Sequence, residues 1–180
     1  MKRLIASIAL LLVITTYLLS CEKDDICADG TPTTPGLVVD FYSKTEPDQK
    51  IEVANFRYYV PGREDDMLPP DTDTLNRVSR IILPLRTDQD EVTWALRYNS
   101  VSPLGTKTSN TDLFTIKYTR TNTYVSRACG YKTTFTLLPE TNDNPNPLIE
   151  PGTDGRLIED YTVVTPYIEN QDEAHVKIYF

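Results

Sequence analysis

The chain has 180 residues, with 18 basic and 26 acidic side chains and a formal charge of −8 at pH 7. A chain of this length suits one globular domain with a sizeable core. Its negative charge is a poor match for the phosphates of nucleic acids, which argues against a nucleic-acid partner.

Residues 1–20 have the composition of a secretory signal peptide. Lys2 and Arg3 precede an apolar run that ends at Ile14. The next residues, Leu18-Leu19-Ser20-Cys21, resemble the bacterial lipobox, in which the cysteine receives a diacylglycerol and becomes the mature N-terminus. We therefore predict a signal-peptide helix and lipid attachment at Cys21. An ordinary signal peptide or an uncleaved anchor is the alternative, although a membrane span needs about 20 predominantly apolar residues.

Residues 21–36 read as a flexible tether rich in Thr, Pro and Gly. The run Glu22, Lys23, Asp24 and Asp25 resembles the export signal of Bacteroidota lipoproteins, which directs them to the outer face of the outer membrane. We expect a lipid-anchored, surface-exposed outer-membrane protein. A periplasm-facing protein with a solvated tether is the alternative. Removal of the signal peptide takes the charge from −8 to −10, so attachment to outer-membrane lipid must come from acyl chains.

Three cysteines are present in the chain. If Cys21 carries lipid, Cys27 and Cys129 are the two thiols left in an oxidising compartment. We predict a disulfide between them. The alternative is a free Cys27 in a mobile arm and a buried Cys129.

From Leu37 onward the pattern changes to short apolar alternations without a sustained helical period. Pro84 predicts an edge or a bulge, and Gly130 predicts a bulge. Residues 37–180 are therefore predicted to form an all-β, antiparallel two-sheet sandwich of immunoglobulin-like arrangement, with a small β-barrel as the alternative. The predicted strands are 37–42, 51–59, 78–85, 92–98, 114–118, a stretch through 124–137 after a turn at 120–122, 161–168 and 174–180, with long loops at 61–74 and 139–156.

Residues with catalytic or metal-binding chemistry are few. His175 is the only histidine, and strand alternation predicts that it is exposed. The segment Asp71-Thr72-Asp73-Thr74 has the spacing of a phosphatase nucleophile motif, but it follows two prolines instead of a buried strand, so a polar turn is favoured. Residues 142–146 are rich in oxygen donors but lack the glycine and glutamate of an EF-hand loop. We expect no catalytic residue, no metal and no cofactor.

The aromatic side chains could form a ligand platform. Trp94 lies on the apolar face of its predicted strand, which indicates the core. An exposed aromatic cluster would favour glycan or nutrient capture, whereas a pocket of close carboxylates would favour a hydrolase. The tyrosines predicted as candidates for outward positions are Tyr42, Tyr58, Tyr59, Tyr124 and Tyr167.

Residues 21–42, the segment Ile82-Leu83-Pro84-Leu85 and the segment from Tyr124 to Lys132 resemble a Bacteroidota family of small cell-envelope lipoproteins of unknown function. The resemblance implies an envelope lipoprotein and supports pairing of Cys27 with Cys129. It implies no activity. The expected function is a lipid-anchored binding or interaction module with an unknown protein or glycan partner, not an enzyme. A glycan- or nutrient-capture accessory lipoprotein and a hydrolase are the alternatives.

Overall fold

The structure is a computed structural model that describes residues 26–31, 33–69, 77–101, 104 and 106–180. The predicted signal-peptide helix and the predicted sites Cys21, Glu22, Lys23, Asp24 and Asp25 lie outside these residues. Within them, no helix has the length and apolar character needed to cross a bilayer. The regular elements of the described residues are a 3-10 helix (Glu64–Asp66) and the strands β1 (Leu37–Tyr42), β2 (Val53–Ala54), β3 (Phe56–Tyr59), β4 (Arg77–Val78), β5 (Arg80–Leu83), β6 (Glu91–Val101), β7 (Lys107–Ser126), β8 (Gly130–Leu137), β9 (Leu148–Pro151), β10 (Asp160–Val163), β11 (Tyr167–Ile168) and β12 (Val176–Tyr179).

The chain divides into two compact units. The smaller unit comprises Met1–Thr31 and Tyr124–Tyr131, and the larger comprises Pro32–Thr123 and Lys132–Phe180. The larger unit contains the paired strands of both main sheets. The smaller unit, as far as it is described, contains residues 26–31 and the turn that joins β7 to β8.

The first sheet has four strands in the order β10-β12-β1-β5. Its central strand β1 pairs antiparallel with β5 and parallel with β12, with Val39 opposite Val176. The parallel pair joins the first and last strands of the larger unit. This is possible because most of the chain connects them and no tight hairpin is required.

The second sheet has six strands in the order β11-β8-β7-β6-β3, with β9 also paired to β7. The β6–β7 hairpin runs from the pair Glu91 and Lys117 to the pair Val101 and Lys107. β9 pairs with β7 at Asp112 to Thr115. A further small sheet consists of β2 and β4.

The core lies between the inward faces of the two main sheets. On β1 the predicted alternation is confirmed, because Leu37, Val39 and Phe41 join the core cluster. Phe114, Ile116 and Tyr118 supply the matching face of β7, together with Val176 and Ile178 of β12. Both sheets end in edge strands, so the predicted all-β sandwich is confirmed and the sheets are not closed into a barrel.

The turn predicted at residues 120–122 is wrong, because β7 continues to Ser126. The Thr133 hydroxyl of β8 donates to Asn122 Oδ1 at 2.8 Å, and threonine-rich segments favour strands. The chain reverses at residues 127–129, and Gly130 follows with a φ of +69°. Gly130 therefore closes a turn, a conformation that glycine adopts without steric cost.

Two predicted strands are each divided. Residues 51–59 form β2 and β3, separated by Asn55 at a φ of +54°. Residues 161–168 belong to β10 in one sheet and β11 in the other. Pro166 lies between them and cannot donate a ladder hydrogen bond, which suits a crossing between sheets. The predicted loop 139–156 contains β9. β5 is an edge strand, as Pro84 predicted, but it ends at Leu83, whereas the predicted strand continued to residue 85.

Candidate functional site

The predicted disulfide is confirmed, and it lies within the smaller unit. Cys27 and Cys129 are bonded at 2.03 Å, with their Cα atoms 4.8 Å apart and 102 positions between them in sequence. The Cys129 N–H donates to Ser126 Oγ at 3.0 Å, which fixes the turn around it. The alternative of two free thiols is therefore wrong.

A second turn follows Cys27 directly. The Thr31 N–H donates to the Ala28 carbonyl at 3.1 Å, and the Thr31 hydroxyl donates to the same oxygen at 2.6 Å. Gly30 has a φ of +79° within this turn. The Thr31 Oγ1 also lies 3.8 Å from the sulfur of Cys129. Residues 26–31 are thus held to the β7–β8 turn by the disulfide and by local contacts.

The smaller unit exposes a group of apolar side chains, which we call the tip patch: Ile26, Tyr124, Val125 and Tyr131. Ile26 is 83% exposed, Tyr131 68% and Tyr124 57%. The rings of Tyr124 and Tyr131 pack edge to face at 5.4 Å. Ile26 and Val125 line one shared cavity in this unit. Exposed apolar side chains grouped on a short segment can mark an interaction site.

The larger unit contains a cleft of about 560 Å³ beside Trp94. Its apolar wall includes Trp94, Leu85 and Val60, and its polar rim includes Arg63 and Glu91. Ligand-binding clefts have volumes of about 300–1,000 Å³ and a mainly apolar wall with a few polar groups. Glu91 is the only carboxylate among the described residues that line it. The cleft therefore does not present the paired acids that a hydrolase of the glycosidase type requires.

Trp94 is 7% exposed and belongs to the core, as predicted. Its ring packs against Tyr58 at 5.8 Å. The Trp94 Nε1 is buried, and no hydrogen-bond partner for it is present among the described residues. An unsatisfied buried donor carries a free-energy cost of about 1–3 kcal/mol.

His175 is buried, so the prediction of an exposed histidine is wrong. It is 3% exposed, and it precedes β12 instead of lying within a strand. Its Nδ1 accepts a hydrogen bond from the Val38 N–H at 3.0 Å, and its own N–H donates to the Val38 carbonyl at 2.9 Å. Burial lowers the pKa of His175 below its usual 6.5, and the charge of Arg80 lowers it further. His175 therefore adds two hydrogen bonds to β1 directly before β12 begins, and strand alternation alone does not predict this.

An ionic cluster around the buried Asp40 lies on the other face of β1. Asp40 is 4% exposed and accepts hydrogen bonds from Arg80 Nε at 2.6 Å and Arg80 Nη2 at 3.0 Å. Lys50 Nζ lies 2.9 Å from the same carboxylate. Burial acts to raise the pKa of Asp40, but the hydrogen bonds and charges of Arg80 and Lys50 outweigh it and lower the pKa. The sequence analysis missed this cluster, although an acid in an apolar strand was the available signal.

The oxygen-rich segment at residues 142–146 is used for packing. Asn146 Oδ1 accepts from the Lys117 N–H, and its Nδ2 donates to the carbonyls of Lys117 and Leu138. Asn144 Oδ1 accepts from Lys117 Nζ at 3.0 Å. No group of three or more His, Cys, Asp or Glu side chains suited to a metal occurs in the part of the chain that is described. The motif at residues 71–74 lies outside that part.

The five tyrosines predicted as candidates for outward positions differ in their exposure to solvent. Tyr124 and Tyr167 are 57% and 62% exposed, as predicted. Tyr59 is buried, and Tyr58 packs against the core beside Trp94, so those two predictions are wrong. Tyr42 is half-buried beneath Lys177, whose Nζ lies 4.5 Å from the ring centroid.

The fold and the bridge define an all-β sandwich protein whose N-terminal segment is cross-linked to a hairpin turn. The chain belongs to DUF6452, a family of unknown function, whose model matches residues 59–180. The matched range includes Cys129 but begins after Cys27. No curated protein and no solved structure matches the chain.

Proposed function

We propose that this protein is a lipid-anchored binding module of the outer membrane, attached through an acylated Cys21 and without a catalytic role. The observation that supports it most is the Cys27–Cys129 disulfide. Structural disulfides persist in oxidising compartments and are rare in the cytosol. A bridge that begins six residues after Cys21 agrees with export of the chain and with removal of residues 1–20.

The acidic residues Glu22, Asp24 and Asp25 support display on the outer face of the membrane, with a periplasm-facing protein as the alternative. The partner in this proposal is a protein or a glycan. The family match to residues 59–180 is compatible with it and assigns no activity.

The lipid anchor is tested by Cys21→Ala, with Ser20→Ala as the matched control because it keeps a small residue before the cysteine. We expect the mass of the mature N-terminal peptide to include acyl chains in the wild type and in Ser20→Ala, and to lack them in Cys21→Ala. Detergent-phase partitioning should be lost only in Cys21→Ala. Unacylated Cys21 in the wild type would contradict the proposal.

Protease added to the same intact cells tests which face of the outer membrane carries the protein. Replacement of Glu22, Asp24 and Asp25 by Ala should protect a surface-displayed protein. Equal cleavage before and after the replacement would reject the export signal, and protection of the wild type would indicate the periplasm-facing arrangement.

Glycan or nutrient capture is the second candidate function, and the cleft beside Trp94 favours it. Trp94 is the only tryptophan in the chain, so its fluorescence reports directly on the cleft. A lining that combines Trp94 with the charged side chains Arg63 and Glu91 suits a polyhydroxylated ligand.

We expect an oligosaccharide series of glucose and N-acetylglucosamine polymers to include at least one that shifts Trp94 emission. The variant Val60→Arg, which places a large side chain at the cleft wall, should weaken that binding about tenfold or more. The control Val164→Arg alters a similarly exposed valine that does not line the cleft and should bind normally. A series without any emission change, or equal binding by both variants, would count against capture at this cleft.

A further inference from the structure

The tip patch and the predicted lipid site are close along the chain. Ile26 is five residues from Cys21, and the disulfide places the Cα of Cys27 4.8 Å from that of Cys129. A chain spans at most about 3.3–3.6 Å per residue. The six steps from Cys21 to Cys27 therefore reach about 20 Å at most. With the 4.8 Å from Cys27 to Cys129 added, a lipid on Cys21 would keep the turn between β7 and β8 within about 25 Å of the bilayer surface.

The composition of the tip patch suits the interface of a bilayer. Tyrosine is enriched at this level of membranes, because its ring is apolar and its hydroxyl is polar. Tyr124 and Tyr131 are both more than half exposed, and Ile26 and Val125 add exposed aliphatic surface in the same unit. Burial of these side chains in the headgroup region would remove apolar area from water.

The described residues of the smaller unit carry no net charge, whereas Glu22, Asp24 and Asp25 precede them in the chain. The described residues of that unit include one acid, Asp29, and one base, Arg127, both exposed. The whole chain, in contrast, has a formal charge of −8. Arg127 lies in the turn itself, where its guanidinium can reach a lipid phosphate.

We propose that the tip patch, Ile26, Tyr124, Val125 and Tyr131, lies in the interface of the phospholipid bilayer that holds the lipid of Cys21. The inference rests on the proposed lipid anchor. A short tether gives the patch a high effective concentration at the bilayer, so a contact that is weak for the free unit becomes populated. The anchor and the patch together then form a two-point attachment, in which the disulfide links one to the other.

The test uses the full-length protein purified from membranes and reconstituted in phosphatidylcholine–phosphatidylglycerol vesicles with or without brominated acyl chains. Tyr124→Trp and Tyr131→Trp introduce reporters at the patch, and Tyr167→Trp is the matched control because Tyr167 is 62% exposed and belongs to the larger unit. Trp94 is buried and gives a constant background. The mass of the Cys21 peptide is measured in each preparation.

We expect bromine to reduce the added emission of Tyr124→Trp and Tyr131→Trp about twofold, and to leave that of Tyr167→Trp unchanged. Acylated protein without quenching at either patch position would overturn this inference and leave the lipid anchor intact. Equal quenching at all three positions would also overturn it. Protein with an unacylated Cys21 would instead show that the proposed anchor fails, and the inference would fail with it.

Discussion

At the scale of single residues, His175 shows how a polar side chain can stabilise a strand from outside it. Its backbone and its Nδ1 both bond to Val38, so one residue satisfies the N–H and the carbonyl of a buried neighbour. Nδ1 can accept this hydrogen bond only while it lacks a proton. Burial, assisted by the charge of Arg80, lowers the pKa of the ring and keeps it neutral at pH 7.

This arrangement predicts a pH-dependent stability. Between the lowered folded pKa and the unfolded value near 6.5, the unfolded chain binds more protons than the folded chain. The free energy of unfolding should therefore be highest above about pH 6.5 and should fall as the pH falls below it. Urea unfolding from about pH 7.5 to about pH 5.5 measures the slope, before most carboxylates titrate.

The variant His175→Asn is the control for that slope, because its side-chain oxygen can still accept from the Val38 N–H and does not titrate. It should lose the pH dependence over this range, whatever its absolute stability. A slope equal to that of the wild type would mean that other groups cause it.

At the scale of elements, the turn between β7 and β8 combines the disulfide with the longest strand. β7 has 20 residues, and its last residues belong to the smaller unit together with the start of β8. The bridge ties residues 26–31 to this turn, so these residues keep a defined position without belonging to a sheet. The disulfide thus holds this segment by a covalent bond where no strand pairing does so.

Loss of the bridge should have a measurable thermodynamic effect. Closure of a loop of about 100 residues restricts the unfolded chain, so Cys27→Ser or Cys129→Ser should each reduce the free energy of unfolding by about 2–5 kcal/mol. The double variant should lose no more than either single one, since all three lack the same bond. Chemical denaturation with and without reductant measures these differences.

Reductant should destabilise the wild type and leave the double variant unchanged. Two free thiols at Cys27 and Cys129 in the denatured, unreduced wild type would refute the bridge. Losses that add in the double variant would show that the cysteines act separately.

At the scale of the whole molecule, the sequence predicted the all-β class, the inward face of β1, the edge position of β5 and the place of Trp94 in the core. These features depend on alternation and on proline, which act over a few residues. The sequence predicted the bridge on the premise that Cys21 carries lipid, which left Cys27 and Cys129 to pair. Local chemistry was sufficient for each of these predictions.

The sequence failed where distant segments decide the outcome. The turn predicted at residues 120–122 is absent because β8 pairs with that part of β7, as the bond from Thr133 to Asn122 shows. Residues 161–168 looked like one strand, yet they divide between the two sheets at Pro166. Neither outcome is visible in a window of ten residues, since both depend on which strands lie alongside.

The sequence by itself determined the strand-rich fold class and the pair of cysteines that bond. Only the tertiary structure decided that His175 is buried against Val38, that Asp40 is enclosed by Arg80 and Lys50, and that Tyr124 and Tyr131 pack together in the open. The physical reason is range. Alternation acts between near neighbours, whereas the bond of His175 to Val38 and the ion pair of Arg80 with Asp40 join residues 137 and 40 positions apart, which meet only when the sheet forms.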